Sequence, residues 1–123
     1  MGAEVSQDMN QNYRIKKKRI KMTNIMAIVA ALILVESGGD PNEVGKCGGR
    51  GVLQITPIMY REYKRLGGTL PPEAVWCPMK AKQMAHRVLE HRMRDGYDPV
   101  SEACRIWNPK AGKWYEKRVR EVM

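Results

Sequence analysis

The chain has 123 residues and a mass of 14.1 kDa, which fits one domain and leaves no room for a second core. It has 22 Lys and Arg against 13 Asp and Glu, a formal net charge of +9. The length argues against a dinucleotide-binding dehydrogenase. The charge excludes an acidic solvating tail and favours an anionic partner such as nucleic acid, a membrane surface or a bacterial envelope.

The first third of the chain combines a basic run with an apolar run. Residues 1–12 are polar, and we expect them to be loosely ordered. Six basic side chains follow within residues 14–21, and residues 25–35 are all apolar. Charge followed by a short apolar stretch is typical of a secretory signal, whereas the alternative is a buried core helix preceded by a solvated basic segment. The apolar run is too short for an ordinary transmembrane helix.

The rest of the pattern predicts a mainly helical domain. A helix is expected from Thr23, a good N-cap residue, to Glu36, and two glycines then end it. Downstream we expect a glycine-rich loop at 45–51 and then, at 52–55, an apolar stretch that is a strand or the start of a helix. An irregular connection is expected at 71–78. Further helices are predicted over 58–66, 79–94, 99–107 and 114–122. The fold class is thus mainly α, with a polar and basic segment over 1–22 and one helical domain over 23–123.

Glu36 is the residue with the strongest signal for chemistry. In a helix that ends here, Ile25, Val29 and Leu32 lie on the same stripe, so the carboxyl group points where the apolar face points. Burial and the partial negative charge at the C-terminal end of a helix both raise the pKa of a carboxyl group. A carboxyl that stays protonated near neutral pH can act as a general acid. The alternative is a polar residue that follows a core helix and points to solvent.

Several short segments carry a resemblance to a known family. They are ESGGDPN at 36–42, GRGVLQITP at 49–57 and, in part, ACRIWN at 103–108. Together they resemble the soluble lytic transglycosylase domain of the lysozyme superfamily, whose pattern has Glu-Ser, a Gly-Leu-Met-Gln-like segment downstream, and Ala-Tyr-Asn further on. Residues 114–119 resemble the closing helix of that family. The resemblance spans about residues 23–122.

The resemblance implies a fold, a substrate and a mechanism. The fold would be α+β and lysozyme-like, with a small glycine-rich loop or β region beside the active-site cleft. The substrate would be peptidoglycan, cleaved at the β-1,4 bond between N-acetylmuramic acid and N-acetylglucosamine. Glu36 would protonate the leaving oxygen and then serve as base for the muramoyl 6-hydroxyl, which attacks with help from the 2-acetamido group and forms a 1,6-anhydro product.

A lysozyme-type muramidase, in which water attacks, is the close alternative. The ordinary glycosidase scheme uses two carboxylates, and Asp40 and Glu43 are the near candidates for a second one. Neither lies where the matched motif has a catalytic acid, so we prefer the scheme with Glu36 alone.

The resemblance also implies substrate-binding residues around the acid. Ser37 would orient Glu36 or contact the substrate. Gln54 would line the sugar groove together with the backbone at Gly51, where the missing side chain permits a close approach.

Three further positions complete the predicted substrate-binding set. Asn108 would bond an acetamido group, and Tyr60 is a groove residue or, like Tyr63, only a packing residue. Trp107 stands where the family commonly has tyrosine, and an indole offers one N–H donor and no hydroxyl. Trp107 would stack on a sugar face or belong to the core.

No metal or cofactor is expected from the sequence. His86 and His91 are five residues apart and do not share a helix face. Cys47, Cys77 and Cys104 are odd in number and show no CxxC spacing, which favours free thiols and synthesis in a reducing cytosol.

The expected partners are peptidoglycan glycan strands and, because of the positive charge, the anionic envelope surface; no specific nucleic acid is expected, and the chain is expected to be a monomer. Signal cleavage after Ser37 would remove Glu36. We therefore expect a protein made in the cytoplasm without a signal peptide that acts on the cell wall, like phage endolysins released through a holin or virion-associated hydrolases. The remote alternatives are a signal-anchored envelope protein and a non-enzymatic protein that binds nucleic acid or a membrane surface through residues 14–21.

Overall fold

Five α-helices and one short 3₁₀ helix make up the computed structural model, which describes residues 7–123, with side chains from residue 9 onward. The helices are α1 (Gln7–Ser37), α2 (Pro57–Arg65), α3 (Pro78–Arg92), α4 (Pro99–Trp107) and α5 (Lys113–Glu121), and the 3₁₀ helix is Pro72–Trp76. Isolated antiparallel bridges join Arg50 to Val44 and to Ile55. The predicted fold class, mainly α with a small glycine-rich region, is confirmed.

Helix α1 begins earlier than the sequence pattern predicts. Thr23 lies inside it and is not its N-cap, because the Thr23 hydroxyl donates to the carbonyl of Arg19 at 2.9 Å, a bond that threonine makes within a helix. Residues 7–12 are helical, so the expectation of a loosely ordered segment is wrong for them, and residues 1–6 lie outside the described range. The division of the chain after residue 22 stays a prediction, and α1 is continuous across it.

The two halves of α1 have different surroundings. Residues 9–24 are exposed, apart from the partly buried Lys21. The second half enters the core, where Ile25, Ile28 and Leu32 are 0%, 1% and 0% exposed, and α1 packs against α3, α4 and α5. By length and composition alone, α1 could cross a membrane. The burial of its second half within this protein shows that this part is a core helix.

The four shorter α-helices agree with the sequence pattern to within about two residues. Two of them have side-chain caps: Thr56 accepts from the amide of Met59 at 3.1 Å before α2, and Asp98 accepts from the amide of Ser101 at 2.9 Å before α4. In each case a proline occupies the first helical position, where its missing N–H costs nothing. Local sequence therefore fixes where these helices begin.

The apolar stretch 52–55 is neither a strand nor the start of a helix. It is a run of turns with one isolated bridge at Ile55, and its apolar side chains are buried, with Leu53 at 0% exposure. The turn needs glycine at its start, because Gly51 has φ +78° and a Cβ there would lie 2.2 Å from the carbonyl oxygen of Val75. This buried loop, residues 51–55, lies beside the C-terminal end of α1.

Glu102 in α4 is a buried charge, 3% exposed, that joins α4 to the segment after α3. Its carboxylate accepts from the backbone amide of Arg94 at 2.8 Å and from the Arg94 guanidinium at 2.8 and 2.9 Å. The Arg105 guanidinium donates to it at 3.1 Å. The Arg94 side chain and then Arg105 hold the pKa of Glu102 well below its ordinary value of 4.5.

We expect Glu102→Gln to lower the free energy of unfolding by about 2 kcal/mol at neutral pH, because a neutral amide cannot accept the charge-assisted bonds. The pKa of Glu102 is lower in the folded chain than its ordinary 4.5, so its stabilisation is complete above that value and is lost as the pH falls below it. Urea unfolding of both proteins near neutral pH and near pH 3 measures the effect. The difference should shrink in acid, whereas the exposed control Glu121→Gln should be near neutral at both. An equal loss at both pH values would contradict this account.

Candidate active site

Glu36 lies in the last turn of α1 on the stripe that faces the core. Val29 and Leu32, two turns and one turn earlier, are 4% and 0% exposed, whereas Glu36 itself is half-buried. The helix thus places a carboxyl group at the boundary between the core and solvent. Such a position removes part of the hydration that stabilises the ionised form.

A buried tyrosine from the other end of the chain holds this carboxyl group. Tyr115 lies in the first turn of α5, is 2% exposed, and its hydroxyl donates to Oε2 of Glu36 at 2.6 Å. Burial and the adjacent carboxylate raise the pKa of Tyr115 far above its ordinary value. The phenol therefore remains a hydrogen-bond donor throughout the physiological pH range.

Two opposing effects determine the pKa of Glu36. Burial raises it above the ordinary value of 4.5, and the hydrogen bond from Tyr115 lowers it by a smaller amount. No charged side chain among residues 9–123 contributes to the shift. The carboxyl group therefore keeps its proton to a higher pH than an exposed glutamate, and the ionised form still has one donor to stabilise it.

Ser37 links the end of α1 to the buried loop through its side-chain hydroxyl. Its Oγ lies 2.7 Å from the carbonyl oxygen of Val52 and 3.2 Å from that of Ile33, and it accepts from the amide of Gly39 at 3.1 Å. These bonds use the hydroxyl within the protein and fix the last turn that carries Glu36. Of the two predicted roles, the contacts favour the one in which Ser37 orients the acid.

The side chain of Gln54 stabilises the conformation of the buried loop through hydrogen bonds. Its Nε2 donates to the carbonyl oxygens of Glu43 at 3.1 Å and Gly51 at 3.0 Å, and its backbone has φ +52°. A Cβ on Gly45 or Gly49 would lie 2.2 or 2.8 Å from its Oε1, so the glycine-rich segment leaves room for this amide. The predicted contacts of Gly51 and Gln54 with a sugar stay predictions.

The predicted role of Trp107 in binding substrate needs correction. Its ring is 9% exposed, and its Nε1 donates to the carbonyl oxygen of Leu53 at 3.0 Å. A ring buried to this extent has no free face on which a sugar could stack, so Trp107 belongs to the core and holds the buried loop from the α4 side.

Tyr60 and Asn108 lie in two hollows, neither of which is lined by Glu36. The Tyr60 hydroxyl donates to the carbonyl of Leu70 at 2.8 Å, and its ring lines a hollow of about 220 Å³ together with Arg50 and Arg61. Asn108 lines another of about 220 Å³, between α4 and α5. Tyr63, the other tyrosine considered for the groove, is 4% exposed, and its hydroxyl accepts hydrogen bonds from the backbone amides of Thr69 and Leu70. Ser37 thus joins the last turn of α1, which carries Glu36, to the buried loop, and the hollow beside Tyr60 is lined by Ile55 of that loop.

The two candidates for a second carboxylate do not act on Glu36. Asp40 accepts from the amide of Asn42 at 2.9 Å and so stabilises the turn after α1. Both Asp40 and Glu43 are exposed, and neither contributes to the pKa shift of Glu36.

Tyr115 is the site residue that the sequence reasoning missed. Tyr115 and Val119 are one turn apart and are the two buried residues of α5, so the tyrosine lies on the core-facing stripe of the helix. A buried phenol needs a hydrogen-bond partner, and a buried carboxyl group needs a donor. These two requirements could have predicted from the sequence that Tyr115 pairs with Glu36.

Glu36 thus combines partial burial, a raised pKa and a hydrogen bond from a buried tyrosine, which are features that general acids use. The family model of the transglycosylase SLT domain matches residues 11–112, and the chain belongs to this family. Its members are lytic transglycosylases, lysozyme-like glycosidases that act on peptidoglycan, so the predicted family, enzyme class and substrate are confirmed. No match was found among curated proteins.

The matched range begins in the exposed half of α1 and ends at Gly112, one residue before α5. It includes Glu36 and the buried loop, whereas Tyr115 lies three residues beyond it. The likeness of residues 114–119 to the closing helix of the family therefore stays a prediction.

We expect Tyr115→Phe to raise the pKa of Glu36 further, because the substitution removes the hydroxyl that lowers it and leaves the burial unchanged. Carboxyl titration by NMR, with Glu36 assigned through Glu36→Gln, measures the shift. Tyr13→Phe on the exposed half of α1 is the control and should leave the titration unchanged. A pKa that falls or stays the same in Tyr115→Phe would show that this hydrogen bond does not tune the acid.

Proposed function

We propose that this chain cleaves the β-1,4 bond between N-acetylmuramic acid and N-acetylglucosamine as a lytic transglycosylase, with Glu36 as the single catalytic acid and base. The observation that carries the proposal is the state of Glu36. It is half-buried, its pKa is raised by that burial, and the Tyr115 hydroxyl holds its Oε2 at 2.6 Å.

In the first step the protonated carboxyl group of Glu36 gives its proton to the glycosidic oxygen, and the bond between that oxygen and C1 of the muramoyl residue breaks. The 2-acetamido group stabilises the positive charge that develops at C1. The ionised Glu36 then takes the proton of the muramoyl 6-hydroxyl, whose oxygen forms the bond to C1. The product is a 1,6-anhydro sugar, Glu36 regains its proton, and no water is consumed.

The electrostatics of Glu36 support both halves of this cycle. Burial favours the protonated form that the first step needs. The hydrogen bond from Tyr115 stabilises the carboxylate left after proton transfer, so the group can still act as a base. These two opposing effects on the pKa suit a group that must give up and regain one proton in each turnover.

The surroundings of Glu36 support an internal nucleophile. Double-displacement glycosidases use a second carboxylate a short distance from the acid. The two nearby candidates, Asp40 and Glu43, are exposed and do not affect the pKa of Glu36. An attack by the 6-hydroxyl of the substrate needs no second carboxylate.

We expect Glu36→Gln to lower the rate of peptidoglycan cleavage by at least ~100-fold, because an amide can neither donate nor accept the proton. Loss of turbidity of purified cell walls measures the rate, and circular dichroism checks that the helices remain. Glu43→Gln is the matched control, with an exposed carboxyl group close in sequence, and should retain the wild-type rate. Full activity of Glu36→Gln would refute the assignment of the acid, and an equal loss in Glu43→Gln would require a scheme with two carboxylates.

We also expect the released muropeptides to end in 1,6-anhydromuramic acid. Mass spectrometry of a digest distinguishes this product from a reducing end by the mass of one water. Reducing ends produced by an active enzyme would show that water attacks, and would make the chain a lysozyme-type hydrolase with the same acid.

A further inference from the structure

Most of the net charge of the protein is concentrated on the exposed half of α1. Residues 14–21 contain six Lys and Arg, and no acidic residue occurs between residues 9 and 35. Lys21 lies 3.7 Å from Asp95. The other five residues are exposed, and none of their side chains forms an ion pair with another side chain in the described range; they are Arg14, Lys16, Lys17, Lys18 and Arg19.

The same helix carries an apolar stripe on the side turned away from the core. Tyr13, Ile20, Ala27 and Leu34 follow one another at intervals of seven residues, so they lie along one line of the helix. Three of them are large and exposed, at 68%, 54% and 52%. We call this line of four residues the outer stripe.

We propose that α1 lies flat on an anionic phospholipid surface, with the outer stripe in the headgroup region and the basic side chains on lipid phosphates. Exposed apolar side chains and a dense cationic cluster are two features by which a helix binds to an anionic bilayer. Lys16 and Lys17, three and four positions after Tyr13, border the stripe. Their long stems can run along the apolar surface while their charged ends reach the phosphates.

The structure disfavours two other occupants of this stripe. A coiled coil with a second copy would need apolar residues three positions after each stripe residue, where Lys16 and Thr23 stand after Tyr13 and Ile20. Two such basic segments would also repel each other. Nucleic acid would use the cations but has no need of the outer stripe.

A membrane-spanning α1 would conflict with the fold. The composition of α1 permits a span, but insertion would remove Ile25 and Leu32 from the core, where both are 0% exposed, and would take Glu36 away from Tyr115. In the flat orientation these contacts stay intact, because Glu36 lies on the core-facing stripe and the lipid contacts the outer stripe.

Sedimentation of the full chain with vesicles tests this inference, with binding rather than activity as the readout. We expect the wild type to bind vesicles of phosphatidylglycerol and phosphatidylcholine at low salt, and to be released by about 0.5 M NaCl. It should not bind vesicles of phosphatidylcholine alone. Neutralising Lys16, Lys17, Lys18 and Arg19 to Gln should weaken binding by roughly 100-fold or more. Retention by the anionic vesicles in high salt would indicate a membrane-spanning helix and would overturn the flat orientation.

The matched charge control places four Lys→Gln substitutions on exposed residues of the body, namely Lys64, Lys80, Lys110 and Lys117. This control should bind the vesicles almost as well as the wild type, and equal losses in the two variants would indicate a general charge effect.

A third variant, Tyr13→Ser with Ile20→Ser, tests the outer stripe and should weaken vesicle binding at least ~10-fold while the helical circular dichroism is retained. If this variant keeps full binding, or if duplex DNA displaces the wild type from the vesicles, the surface recognises polyanions in general and the lipid assignment fails. A dimer of the wild type in light scattering that Ile20→Ser dissociates would assign the stripe to a second copy.

Discussion

The hydrogen bond between Tyr115 and Glu36 is the contact on which the proposed chemistry depends. It joins the last turn of the first helix to the first turn of the last one, and both groups leave water to make it. Burial alone would raise the pKa of Glu36 further and so make the carboxyl group less ready to release its proton. The hydroxyl offsets part of that effect, so the same carboxyl group can hold a proton and release it. Helix α5 thus contributes a hydrogen bond to Glu36 in addition to its packing.

The buried loop shows that residues expected to touch a sugar can act by holding the site in place. Ser37 bonds the loop from α1, Trp107 bonds it from α4, and Gln54 closes it with its own amide. The bonds from Ser37 and Trp107 provide partners for the backbone carbonyls of Val52 and Leu53 in the buried loop. A loop fixed from several sides costs little further ordering when a ligand binds beside it. Side chains committed to such bonds support the site without having to contact the substrate.

How much the sequence could predict depends on how local each signal is. The starts of α2 and α4 were predictable, because a capping side chain and a proline stand together at each. The start of α1 was not, since residues 7–22 are helix-compatible but lack the apolar periodicity that marks a buried helix. Glu36 could be singled out because its own helix shows the stripe that it continues and because the segment after it resembles a family motif. Its partner Tyr115 is 79 residues away, and Trp107 gives no local sign that its N–H meets Leu53.

The change in composition along α1 explains why one half of the helix is exposed and the other half is buried in the core. The side of α1 that presents Leu32 to the core presents Arg14 and Lys21 in the first half of the helix. Because charged side chains are costly to bury, the helix leaves the body of the protein near Lys21. Because the helix is continuous, the basic half and the acid move as one unit. The rise of 1.5 Å per residue places Lys18 about 27 Å along the axis from Glu36. Any surface that binds the basic half therefore fixes the distance and the direction of Glu36 relative to that surface.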